Sequence, residues 1–241
     1  MIEPLPRGEA HLWHVQPELL RDAALLRAYD TLMTSGERAR GARFIPPAVR
    51  HRHLVTRALV RCVLSRYADV APEAWRFVEN THGRPEIDPA CGAPGLRFNL
   101  SHADGLIVCL VAQDVEVGID VEDPRRTVDY LGIGTRFFSA REGAMLAAVP
   151  DAARAGRFFR YWTLKEAYIK ARGLGLSLPL EAFTFDLDGE HPTIAFEPPI
   201  EDDPAAWQFT ELRIHDHAVA TAIRSADAVR ICDRAIVPLL T

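Results

Sequence analysis

Lysine is nearly missing from this chain. Of 28 basic residues in 241, only Lys165 and Lys170 are lysines; the other 26 are arginines, and both lysines fall within the nine residues Trp162–Lys170. Cysteine is also scarce: Cys62, Cys91, Cys109 and Cys232 form no Cys-x-x-Cys pair, which excludes a zinc-finger framework and reads as isolated small hydrophobes in a reducing compartment. The longest apolar run, Leu106 to Ala112, is far short of a bilayer span. The N-terminal stretch lacks the basic tip and apolar run of a secretory signal, so a soluble cytoplasmic protein without a membrane partner is expected. A glycine-rich phosphate loop is absent, and Ser101 is not framed by a Gly-x-Ser-x-Gly elbow, which leaves a hydrolase triad unsupported.

With 48% hydrophobic and 25% charged residues, the chain can bury a large core and is not disordered. Apolar residues at Leu54, Val55, Ala58, Leu59, Cys62, Val63 and Tyr67 mark one face of a long helix, with Arg50, Arg57 and Arg61 on the opposite stripe. Four β-like runs follow: Trp75–Val78, Pro85–Ile87, Leu96–Leu100 and Leu106–Ala112. A second helix is expected from about Arg157 to Arg172, stopped by Gly173. Four more runs come after it: Ala182–Asp186, Thr193–Phe196, Trp207–Ile214 and Ala218–Arg224. The order helix, then four strands, therefore occurs twice, which predicts an α+β protein of two similar lobes, residues 1–116 and 117–241.

The net charge of −5 argues against a surface that clings to nucleic acid throughout. Residues 36–66 nevertheless carry eight arginines against the single acid Glu37. That stretch is either a solvated helix face or a local anion site.

Three constellations could carry chemistry. In the extended segment Val117–Glu122, Asp120 and Glu122 project from one face and repel each other unless a cation or proton lies between them. Their oxygen-only chemistry suits Mg²⁺ or Ca²⁺; taken alone, the pair is equally an acidic turn. On the second helix, Phe159, Trp162, Glu166, Ile169 and Lys170 share a side, while Tyr161, Leu164 and Tyr168 make the other side apolar too. Glu166 and Lys170 are then charges on an otherwise buried helix, and such charges persist only when paired. The retention of lysine here points to a need for a compact ammonium. The third constellation is Asn99-Leu100-Ser101-His102 at a strand end, with Gly83-Arg84-Pro85 nearby in sequence. Carboxylates for a hard ion, a lysine one turn from Glu166, arginines and a histidine together describe metal-assisted phosphoryl transfer.

These residues resemble a known family. Gly118-Ile119-Asp120-Val121-Glu122 and Trp162-Thr163-Leu164-Lys165-Glu166-Ala167 are similar to the two signature motifs of the Sfp-type 4′-phosphopantetheinyl transferases, in the subgroup with the Trp…Lys-Glu-Ala form. Further similarities are Phe98–His102, Gly83-Arg84-Pro85, the arginine-rich stretch from Glu37 to Arg61, Phe137-Phe138-Ser139-x-x-Glu142 and Gly173–Leu180; together they cover roughly residues 30–225. The resemblance implies a monomer of two pseudo-twofold-related α+β lobes, each a long helix on a small, mostly antiparallel sheet. It implies transfer of the phosphopantetheine arm of coenzyme A to a serine of an acyl or peptidyl carrier protein, releasing adenosine 3′,5′-bisphosphate. On this reading Asp120, Glu122 and Glu166 bind Mg²⁺, with Mn²⁺ as an alternative ion, and Glu166, directly or through a water, activates the serine. Lys165 and Lys170 contact the donor, Lys170 stabilising the phosphates and leaving group. Ser101 and His102 touch the donor phosphates, His102 with a catalytic part. Arg40, Arg52 and Arg84 surround the 3′-phosphate and adenine in the first lobe, while His53 replaces a small hydroxyl residue. The competing readings are a Mg²⁺ nuclease, disfavoured because Glu166 and Lys170 are spaced for a helix, and a nucleic-acid-binding module built on the arginine-rich stretch.

Overall fold

The computed structural model describes residues 2–240, with Leu176 described by its backbone only. In chain order the elements are β1 (Glu9–Val15), α1 (Ala23–Leu32), α2 (Ser35–Ala42), α3 (Pro47–Leu64), β2 (Phe77–Glu79), β3 (Pro85–Ile87), β4 (Leu96–Ala103) and β5 (Leu106–Gln113). There follow β6 (Glu116–Glu122), α4 (Tyr130–Phe137), α5 (Ala140–Ala148), α6 (Asp151–Arg172), β7 (Phe183–Asp186), β8 (Thr193–Phe196), β9 (Trp207–Ile214), β10 (His217–Arg224) and β11 (Arg230–Ala235).

The chain forms two compact units. One comprises the residues up to Val78, Pro85–Asp114 and those from Arg230 on; the other is Glu79–Arg84 with Val115–Val229. The expected cut into 1–116 and 117–241 is therefore corrected. The C-terminal strand β11 returns to the first unit because it pairs in parallel with β1, Glu9 opposite Arg230 and His14 opposite Ala235.

In the first unit the sheet order is β11-β1-β5-β4. Helix α3 lays Val55, Leu59 and Val63 in one apolar cluster with Trp13, Phe98, Ile107 and Val111 of that sheet. In the second unit the order is β6-β10-β9, and α6 puts Leu164, Ala167, Tyr168 and Ala171 in a cluster with Phe209, Ala220 and Ala222. Each unit reads strand, two short helices, long helix, short hairpin, then a longer hairpin whose second strand pairs antiparallel with the opening strand. The repeat is thus longer than helix plus four strands, and β11 is an extra strand of the first unit.

Strand β1 was missed because it is central: six of its seven residues are buried, so its sequence does not alternate. Helix α2 has no buried residue and hence no hydrophobic period; a Thr34–Glu37 capping box starts it. Helix α3 begins earlier than its apolar pattern, at Pro47, where a proline fits the first turn. The end of α6 is as expected: Gly173, at φ 64°, donates its N–H to the carbonyls of Ile169 and Lys170.

Candidate active site

The second unit builds its site by bringing α6 unusually close to β6. A Cβ on Gly118 would stand 2.0 Å from the Ala167 carbonyl oxygen and 2.5 Å from the Ala171 nitrogen, so only glycine allows this approach. Alanines continue the small-residue seam: Gly118 pairs across the sheet with Ala222, and Asp120 with Ala220. Because strand residues alternate, Gly118, Asp120 and Glu122 share the face turned to the helix.

Lys170 closes the contact. Its Nζ donates to Asp120 Oδ1 at 2.6 Å and to the Ile119 carbonyl at 3.2 Å. Asp120 is buried, while Glu122, Glu166 and Lys170 are half-buried. Burial pushes the Glu166 carboxyl above the ordinary carboxylate range, and the charges of Asp120 and Glu122 add to this against Lys170. Glu122 is raised likewise, first by burial and then by Asp120, with Arg126, Lys170 and a Trp162 hydrogen bond opposing. Three carboxylates in mutual repulsion, offering only oxygen, suit a hard divalent cation. Their donor atoms do not all lie within 4.8 Å of one another, so they do not form a closed protein cage. Mg²⁺ does not need one, since it commonly takes one or two carboxylates and fills its shell with water and substrate phosphates. Along the same stripe of α6, Gly156, Phe159, Arg160 and Thr163 line a groove with Pro124, Leu212 and Val219.

Lys165 lies elsewhere. Five residues from Lys170, it points to the other side of α6. It is fully buried, 2.7 Å from Glu142 Oε2, and its Nζ donates to the carbonyls of Leu180 (2.8 Å) and Phe183 (2.6 Å). Glu142 Oε2 also accepts the Ser139 N–H and Oε1 the Phe185 N–H. Burial lowers the Lys165 ammonium's pKa, with Glu142 opposing. The expected donor contact from Lys165 is therefore corrected: it is an internal strut. Glu142 was visible only as part of a motif, without its partner.

Arg84 also holds the fold. Its guanidinium donates to the carbonyls of Ala171 (2.6 Å) and Val117 (3.3 Å), clasping the end of α6 to the start of β6. Asn80 assists, donating to the Gly173 carbonyl at 2.9 Å. Arg84, expected beside adenine and the 3′-phosphate in the first lobe, belongs to the second unit and makes this clasp, whose carbonyl partners no sequence pattern displays.

In the first unit, Ser101 and His102 end β4, where His102 is exposed. Arg52 of α3 pairs with Asp104 in the adjoining turn, so the start of α3 and the strand end meet. Arg40 is exposed on α2. Much of the arginine-rich stretch holds the fold: Arg38 donates to the Asp30 and Met33 carbonyls, Arg50 to those of Phe44 and Ile45. Arg61, placed by the helical period on the stripe opposite the apolar face, is buried and donates to the Trp75 carbonyl and to Glu37. His53 is a packing residue: its Nε2 is 3.1 Å from the Glu37 carbonyl oxygen and its ring lies against Phe44 and Gly41.

A glycine-seamed strand and helix present three carboxylates and an ammonium, a set of groups whose chemistry suits phosphoryl transfer. The sequence profile of the 4′-phosphopantetheinyl transferase superfamily matches residues 116–222, which contain all four of these charged groups. The 4′-phosphopantetheinyl transferase HetI of Nostoc sp. is 38% identical over 216 residues, covering 88% of this chain and 86% of HetI. Sfp of Bacillus subtilis is 34% identical over 156 residues, covering 64% of this chain and 67% of Sfp. A second B. subtilis 4′-phosphopantetheinyl transferase, ffp, is 32% identical over 183 residues, 72% of this chain and 79% of its own. The chain belongs to the Sfp-type 4′-phosphopantetheinyl transferases and is a transferase of that kind. That membership favours the transferase over the nuclease reading. Among the described residues, no helix is long and apolar enough to cross a membrane.

Proposed function

We propose that this enzyme transfers the 4′-phosphopantetheine arm of coenzyme A to a serine hydroxyl of an acyl or peptidyl carrier protein and releases adenosine 3′,5′-bisphosphate. The observation that supports it most is the face shared by Asp120, Glu122, Glu166 and Lys170, inside the stretch that matches the family profile. Asp120, Glu122 and Glu166 would hold Mg²⁺, or Mn²⁺, together with oxygens of the pyrophosphate. When bound, that ion supplies neutralisation of the charge that builds on the phosphates.

The serine oxygen forms a bond to the phosphorus bearing pantetheine, and that phosphorus loses its bond to the bridging oxygen of the pyrophosphate. The serine proton goes to Glu166 as general base, directly or through one water. The Lys170 ammonium faces the leaving phosphate, which departs with the bridging oxygen's electron pair. Ser101, His102, Arg40, Arg52 and Arg84 are assigned to the donor's phosphates and adenosine by the family resemblance. Incubation with coenzyme A, Mg²⁺ and several unrelated apo carriers should add a phosphopantetheine mass to at least one, and a chelator should stop it. No mass gain on any carrier overturns the proposal.

A further inference from the structure

Where β1 and β11 run side by side, three different donor atoms meet on one sheet face. The parallel register sets His11 opposite Cys232, and Glu9 lies two residues before His11 on the same face. His11 Nε2 is 3.3 Å from Glu9 Oε2, and Cys232 Sγ is 3.5 Å from that same oxygen. Among the described residues, these form the one set of three His, Cys, Asp or Glu donor atoms lying within 4.8 Å of one another.

The hydrogen bonds around His11 are in conflict. Its Nδ1 is 2.7 Å from the Tyr67 hydroxyl, which accepts the Trp13 Nε1–H, and its Nε2 is 3.3 Å from an Arg234 nitrogen. An arginine nitrogen only donates. If Nε2 carries the lone pair, Arg234 is satisfied but that lone pair faces the Glu9 carboxylate with no hydrogen between. If Nε2 carries the proton, Glu9 is satisfied but Arg234 meets an N–H. No neutral tautomer serves both neighbours. A cation between Nε2, Oε2 and Sγ turns the facing lone pairs into ligands, and Tyr67 then fixes the ring through Nδ1–H.

We infer that Glu9, His11 and Cys232 bind a divalent transition ion of the Zn²⁺ class, fastening the C-terminal strand to the N-terminal one. Mixed oxygen, nitrogen and sulfur donors select such an ion over Mg²⁺, and three protein ligands leave one position for water. Binding releases the Cys232 thiol proton to solvent. Two guanidiniums oppose the ion's charge. Arg230 keeps the other Glu9 oxygen at 2.5 Å, and Arg234, displaced from Nε2, keeps Glu3 at 2.8 Å. The carboxylate and thiolate charges offset them.

Co²⁺ titration of the reduced full chain, with excess Mg²⁺ occupying oxygen sites, tests this. One equivalent should produce the near-ultraviolet thiolate charge-transfer band, and Zn²⁺ should raise Tm. Cys232→Ser should abolish the band and Cys91→Ser, at the other half-exposed cysteine, should keep it. Glu9→Gln should move the titration midpoint to higher Co²⁺. Absence of the band, its survival in Cys232→Ser, or an unmoved midpoint in Glu9→Gln overturns the inference.

Discussion

Two lysines five residues apart on α6 make the same kind of bond for opposite purposes. Lys165 and Glu142 are both fully shielded from water, and the Lys165 Nζ also donates to the carbonyls of Leu180 and Phe183. Lys170 and Asp120 lie at the same short range but leave the ammonium 26% exposed, among carboxylates that repel each other. The first pair is complete and builds; the second is crowded with like charge and half-open, the condition for taking up a ligand. The difference follows from helix geometry alone, because five residues carry a side chain well round the helix axis.

The contrast can be broken in several ways, in descending order of cost to the fold. Glu142→Ala strands the buried Lys165 ammonium and two backbone N–H groups, and should cost about 3–5 kcal/mol in denaturant unfolding. The double variant Glu142→Leu with Lys165→Met should recover most of that, since a buried pair replaced by apolar groups is often neutral. Gly118→Ala forces α6 off β6, costs about 1–3 kcal/mol, and parts Lys170 from Asp120, so transfer falls with stability.

The first unit offers a pH-sensitive counterpart. Burial raises the Glu37 pKa, but the Thr34 N–H, Arg61 and Arg57 outweigh it and hold the carboxyl below its ordinary value. A depressed folded pKa means stability that is present above the unfolded value, about 4.3, and is lost as pH falls through the folded one. Glu37→Gln should cost about 1–2 kcal/mol at neutral pH and flatten the acid limb of a Tm-against-pH curve. Lys170→Ala should be mildest on the fold, within about 1 kcal/mol, yet lower turnover about 100-fold or more.

What the sequence disclosed and what it hid divides along the same line. The stop of α6 at Gly173 and the strands β3, β8 and β9 were legible because glycine punctuation and short apolar runs are local signals. Asp120, Glu122, Glu166 and Lys170 were legible as two spaced motifs, and the structure brings them to one face. Lys165 was misplaced because a motif records neighbours along the chain, whereas its true partner Glu142 is 23 positions upstream, on another helix. Arg84 and Arg61 bond to backbone carbonyls, which every residue has and no composition reveals. The β1–β11 pairing joins opposite ends of the chain, and β11 is a largely exposed edge strand with little apolar signal.

On the proposed function, the Lys170 face of α6 carries the transfer while the Lys165 face only supports it. The most direct measurement is the mass of an apo carrier protein after incubation with coenzyme A and Mg²⁺, using wild type and Glu166→Gln of matched Tm. Wild type should add a phosphopantetheine increment, and Glu166→Gln should add none within the same time. Equal modification of the carrier by both proteins would contradict it.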